Sequence, residues 1–148
     1  MTTALPTTEV AKQIATQFPK AVVATSDTFI IISHESLVPV AGFLKDAPGL
    51  EFDYLNNITA IDYFQYFEVV YQLTSIKHNH SLMLKARCYG RDNPSLPSVI
   101  SVWRAADLQE REICDLMGIR FEGHPNSKHI VLWEGFQGYP QRKDYLTW

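Results

Sequence analysis

From Gly118 onward the chain loses the means to build a core of its own. A charge-dense stretch, Glu110-Arg111-Glu112 through Asp115-Leu116-Met117, stops at that glycine. It runs into Phe121-Glu122-Gly123-His124-Pro125 and then Gly138-Tyr139-Pro140-Gln141-Arg142-Lys143-Asp144-Tyr145. Glycine, proline, aromatics and paired charges in that density make loops. The segment is therefore expected to order only by packing on something else, with another protein as the expected surface. This divides the chain into an α+β domain over 1–118 and an extended C-terminal interaction tail over 119–148.

The preceding residues supply the core. Thr7 or Thr8 can cap a first helix with Val10, Ile14 and Phe18 on one stripe, stopped by Pro19. Ala21–Ala24 and Phe29–Ile32, separated by Thr25-Ser26-Asp27-Thr28, read as a hairpin. A second helix is predicted from about Ser36 to Lys45, with Leu37, Val40, Ala41 and Leu44 buried and Pro39 tolerated in the first turn. Three strands follow, Leu50–Ile61, Phe67–Ile76 and Leu82–Tyr89. In the last, Leu82, Leu84, Ala86 and Cys88 alternate with Met83, Lys85, Arg87 and Tyr89. Gly90 to Pro97 reads as a loop. The order α-β-β-α-β-β-β-α predicts a two-layer α+β fold with a mixed or antiparallel sheet and helices on one face.

Composition excludes several functions. With 148 residues and a net charge of −3, basic residues scattered apart from Arg142-Lys143, there is no nucleic-acid footprint. No apolar run approaches the roughly 20 residues of a membrane span, and Met1–Pro6 lacks the basic and apolar regions of a secretory signal. Association with a membrane is expected only through partners. The two cysteines, Cys88 and Cys114, are too few for an iron–sulfur cluster or a structural zinc site. His78 and His80 would leave a metal under-coordinated. No catalytic, cofactor or metal residue is expected on this chain.

The last helix is predicted over about Leu108 to Met117. Asp107 acts as N-cap with Glu110 as its capping-box partner, and Gly118 takes the left-handed position with Ile119 as the accompanying apolar contact. Arg111 and Asp115 are four apart and can pair along the exposed side. Glu112 falls near the edge of the apolar arc of Leu108, Ile113, Leu116 and Met117. An internal or interfacial ion pair is expected for it, with His124, Arg120, Arg142, Lys143 or a partner's arginine. His124 beside Pro125 reads as a satisfied structural histidine. The Arg142-Lys143-Asp144 cluster, flanked by Gly138-Tyr139-Pro140 and Tyr145, reads as a docking element.

The run Glu110-Arg111-Glu112-x-x-Asp115-Leu116-x-Gly118-Ile119, then Phe121-Glu122-Gly123-His124-Pro125 and Gly138-Tyr139-Pro140-x-Arg142-Lys143-Asp144-Tyr145, closely resembles the signature of the C subunit of proton-pumping NADH:quinone oxidoreductase, respiratory complex I. Looser similarity reaches back through Pro97-Ser98-Val99, Trp103, Phe67–Tyr71 and Phe52–Asp62. Some features are similar to the J version of this subunit in photosynthetic NDH-1. The resemblance implies a non-catalytic member of the peripheral arm that packs on the D subunit, on the cytoplasmic face of the membrane or its equivalent. FMN and iron–sulfur clusters would belong to partner subunits. The equivalent subunit of a membrane-bound hydrogenase or formate hydrogenlyase is the neighbouring alternative, and a soluble assembly factor is another. A hydrolase using Glu110, Glu112 and His124 is disfavoured, because the two glutamates point about 160° apart on one helix.

Overall fold

The protein is described from a computed structural model covering residues 2–125, 132–133 and 136–145. The remainder of the expected tail, 126–131, 134–135 and 146–148, lies outside the described residues. Elements run β1 (Thr3–Ala4), α1 (Thr7–Gln17), β2 (Val22–Thr25), β3 (Ile30–Ile32), α2 (Leu37–Asp46), β4 (Tyr54–Asp62), β5 (Tyr66–Ser75), β6 (His80–Tyr89), β7 (Ser95–Pro97), α3 (Ala106–Met117) and β8 (Arg120–Glu122). The main sheet has the order β2-β3-β6-β5-β4. β4, β5 and β6 form an antiparallel meander, whereas β3 runs parallel to β6 and pairs Ile30 with Leu84. β1 joins the same edge of β6 further up, Thr3 opposite His80. The sheet is therefore mixed, as expected.

All three helices cover one face. Val10 and Ile14 from α1, Leu37, Val40 and Leu44 from α2, and Ala106, Ile113 and Met117 from α3 meet the inward side chains of the strands in one apolar cluster. The predicted alternation holds. Phe67, Val69, Tyr71 and Leu73 of β5 and Leu82, Leu84, Ala86 and Cys88 of β6 are buried. Each large apolar side chain taken fully out of water contributes about 1.5–3 kcal/mol, so this layer dominates folding. The opposite face carries the other parity and is laced by Glu68, whose carboxylate lies 3.1 Å from Lys85 Nζ and 3.1 Å from Arg87 Nε.

The structure corrects several local expectations. The Thr7/Thr8 cap is absent: Pro6 precedes α1, and Thr7 Oγ1 donates instead to the Ser26 carbonyl in the β2–β3 turn, tying helix to hairpin. Gly90 to Pro97 is not all loop, because Ser95–Pro97 forms β7 and pairs in parallel with β8, Leu96 opposite Phe121. The outer edge of β4 is closed by α3, where Gln109 Oε1 accepts the Ile58 N–H at 2.6 Å. An edge N–H that would otherwise recruit a strand from elsewhere is thus satisfied within the chain.

Candidate functional site

Helix α3 organises the signature residues, but in a different phase from the predicted one. The buried line is Ala106, Glu110, Ile113 and Met117, spaced four, three and four apart. Glu110, not Glu112, is therefore the interior carboxylate: it is 0% exposed, whereas Glu112 and Leu108 face solvent. The Asp107 capping box does not form either. Ala105 precedes the helix with no side-chain cap, and Asp107 sits inside the first turn. Glu110 instead accepts Ser98 Oγ–H at 2.5 Å and the Val99 N–H at 2.9 Å, pinning the segment between β7 and α3. Burial pushes its carboxyl above the ordinary range, and the Ser98 and Val99 hydrogen bonds oppose that shift only in part.

A cavity of about 240 Å³ opens beside Glu110, where Arg111, Cys114, Arg120, Phe121 and His124 also line the wall. His124 Nε2 donates to the Asp107 carbonyl at 3.1 Å and lies 3.1 Å from the Asp107 carboxylate, which ties the end of β8 back to the first turn of α3. The histidine thus has structural partners on both counts. Asp115, expected on the exposed side with Arg111, is buried, and its Oδ2 accepts the Leu132 N–H at 2.8 Å. Among the described residues, no three His, Cys, Asp or Glu side chains converge as a metal site. Cys88 is buried in the core, and burial pushes its thiol up to about 12.

At the other end of α3 the C-terminal segment folds back as a latch. Gly118 closes the helix with φ +75°, a conformation only glycine adopts without strain, and its missing Cβ is space that the latch uses. A Cβ there would lie 2.6 Å from Tyr139 Cε2 and 2.7 Å from Arg142 Nη2. The carbonyls that α3 leaves open are then satisfied from the latch. Gln141 N–H donates to Leu116 O at 3.0 Å, and Arg142 Nε donates to Met117 O at 2.6 Å. A guanidinium at a helix C-terminus also complements the helix dipole. Arg142 Nη1 reaches the Arg91 carbonyl at 2.8 Å, and its plane lies over the Phe67 and Tyr139 rings. Tyr145 packs against Phe136 and stands 3.0 Å from where a Cβ on Gly138 would be.

The second anchor has no local motif to announce it. Asp62, buried at the end of β4, accepts both Arg91 Nη groups at 2.8 and 2.7 Å, the Phe64 N–H at 2.8 Å and the Lys143 N–H at 3.0 Å. Arg91 also holds Asp144 at 3.1 Å. The Arg91 guanidinium, above all, keeps the Asp62 carboxyl well below the usual range, with the Lys143 and Phe64 amides adding to the effect. Arg142, Lys143 and Asp144 thus dock on this chain's own α3, the end of β4 and Arg91 just after β6. Glu110, Ser98 and His124 form one pinned corner and Gly118, Tyr139, Arg142, Asp62 and Arg91 another. Glu112 joins neither, and Pro125 and Pro140 carry no hydrogen bond of this network.

Residues 30–147 match the family described as the respiratory-chain NADH dehydrogenase, 30 Kd subunit. The chain is 46% identical over 114 residues to the NADH-quinone oxidoreductase C 2 subunit of Rhizobium meliloti (strain 1021), covering 75% of this chain and 62% of that protein. It is 37% identical over 148 residues to the NADH-quinone oxidoreductase C subunit of Roseiflexus castenholzii (strain DSM 13941 / HLO8), covering 95% and 84%. The chain thus spans about three fifths of the length of the Rhizobium relative and most of the Roseiflexus one. A chain in the structure of the membrane-bound sulfane sulfur reductase, an archaeal respiratory membrane complex, superposes with a TM-score of 0.72 at 26% identity, covering 93% of this chain and 84% of that one. With that family matched over most of its length, the chain belongs to the 30 kDa subunit family of respiratory-chain NADH dehydrogenase.

Proposed function

We propose that this chain is the C subunit of an NADH:quinone oxidoreductase, a non-catalytic member of the peripheral arm. In this reading it docks on the D subunit and supports electron transfer from NADH to quinone by holding its neighbours in register. The observation that carries the reading is the use made of Glu110. The most buried carboxylate of the signature is committed to Ser98 and Val99, while Glu112 faces solvent, so the two never converge on a substrate. Among the other signature side chains, Asp115, His124 and Arg142 likewise bond backbone groups. FMN and iron–sulfur clusters would sit in partner subunits. No helix among the described residues is long and apolar enough to cross a membrane, which supports a peripheral position, proposed on the cytoplasmic face or its equivalent. Translocation would be the work of the assembled complex.

A second reading follows from the sulfane sulfur reductase neighbour. A subunit of this fold also serves a respiratory membrane complex of another name, so the equivalent subunit of a related membrane-bound complex, such as a hydrogenase, is its rival. The relatives named for NADH-quinone oxidoreductase favour the first reading. A tagged copy purified from membranes in mild detergent, with every co-purifying chain identified by mass spectrometry, tests both. Iron–sulfur subunits with NADH-dependent quinone reduction are expected. Nickel-containing partners would shift the assignment to the rival, and recovery of the chain alone would overturn both.

A further inference from the structure

The β4–β5 turn is built at a cost that the fold does not explain. Phe64 at its tip has φ +68°, a left-handed conformation in which a bulky side chain is strained by roughly 1–2 kcal/mol. The strain is held from both sides. Asp62 Oδ1 accepts the Phe64 N–H at 2.8 Å, and Arg91 Nη1 donates to the Phe64 carbonyl at 3.2 Å. The product is an aromatic side chain left 53% exposed, with the Arg91 guanidinium 5.4 Å from its ring centroid, beside Tyr63 at 40%. Tyr63 leans on Tyr66 at 5.3 Å and Tyr66 on Tyr89 at 5.7 Å, and Tyr89 is 67% exposed. Glycine or asparagine at the tip would give the same turn without strain. A residue kept in a costly conformation to display an apolar ring points to a use outside the folded chain.

The surrounding charge indicates what the ring meets. Lys143 Nζ stands 5.4 Å from the Phe64 ring centroid and 6.0 Å from that of Tyr63. Among the described residues, no carboxylate lies within ion-pair distance of Lys143 or of Arg142. Lys143, without a carboxylate partner among the described residues, thus flanks a tyrosine- and phenylalanine-rich knob, a composition enriched at protein interfaces. Anionic lipid is a poorer match: recognition of that kind uses clusters of about 4–8 basic residues, and Asp144 shares this edge, half-exposed on Arg91.

We propose that the Tyr63–Phe64 turn is a docking knob that inserts into an apolar, acid-rimmed pocket on a neighbouring protein of the assembly, with Lys143 meeting the rim. The proposal rests on the reading given under the proposed function and adds the surface and the chemistry of its partner. The latch is part of the device, because Asp62 holds the strained tip and the Lys143 amide with one carboxylate.

The test uses the full chain in its native membrane assembly, with the photo-crosslinking residue p-benzoylphenylalanine in place of Phe64 or Tyr63. Ile76, 65% exposed in the turn at the opposite end of β5, serves as reference. Crosslinks from positions 63 and 64 are expected on one neighbouring protein, within a peptide carrying Asp or Glu. Lys143→Glu is expected to lower that yield by about tenfold while the free chain melts unchanged, since the Lys143 backbone amide is retained. Phe64→Gly separates use from folding: the isolated chain should be as stable as before or more so, yet be lost more readily from the complex. An intact complex in which positions 63 and 64 give no protein crosslink, or lipid adducts only, overturns the proposal and leaves the assignment to the complex standing. A chain recovered without partners overturns both.

Discussion

Glu110 shows how much one residue can carry in this fold. Glu110→Ala removes the acceptor of two buried donors, Ser98 Oγ–H and Val99 N–H, with nothing to replace it. A loss of about 2–4 kcal/mol is expected by denaturant unfolding of the isolated chain. Glu110→Gln should lose far less, because its amide can accept from Val99 and donate to the Ser98 oxygen. Equal losses in both variants would show that the side chain's volume, not its hydrogen bonds, matters there. Sequence alone points to Glu112 because a helical wheel anchored on Leu108 places Glu112 at the apolar edge. The true stripe starts at Ala106, and a carboxylate with fixed partners occupies a core position that hydrophobicity alone assigns to a leucine.

At the scale of elements, the helices α1 and α2 and the strands β4 to β6 are legible because each repeats its period often enough to be read, and β2 and β3 because two short apolar runs flank a turn sequence. β1, β7 and β8 are not, being two or three residues long and defined by their partners. The latch is half legible. Its composition announces that it must dock, but not that its first surface is the end of α3 in the same chain. The pairing of Asp62 with Arg91 gives no signal, because 29 residues separate them and the looser similarity that ends at Asp62 does not name its partner. Gly118→Ala tests the joint. Adopting φ +75° costs an alanine about 1–2 kcal/mol, and the new methyl meets Tyr139 and Arg142. The expected result is a lower unfolding midpoint together with faster hydrogen exchange at the Gln141 and Arg142 amides. A lower midpoint with unchanged exchange would mean that the latch holds independently of the glycine.

For the molecule as a whole, two of the buried carboxylates, Glu110 and Asp62, pull the pH dependence of stability in opposite directions. Glu110 has a raised folded value, so the folded state holds its proton more tightly than the unfolded one. Its contribution is present in acid and is lost as pH rises from the ordinary glutamate value of 4.5 through the folded one. Asp62 has a depressed folded value, so its contribution is present above the ordinary aspartate value of 3.8 and is lost as pH falls from there through the folded one. The joint contribution of this pair is therefore greatest between the two limbs. Glu110→Gln should flatten the limb on the neutral side and leave the acid limb in place. Asp62→Asn should do the reverse, at a cost of about 2 kcal/mol near neutral pH for the weakened charged hydrogen bonds to Arg91. The latch makes the second variant distinguishable by structure as well as by energy. Its Lys143 amide should exchange faster at every pH, while amides of the β4–β5–β6 meander keep their protection. Denaturant midpoints from about pH 1.5 to 8 for the three chains, read with exchange at Lys143, decide the matter. Parallel curves for all three would mean that neither carboxylate carries the titration, and loss of meander protection in Asp62→Asn would mean that latch and sheet are one cooperative unit.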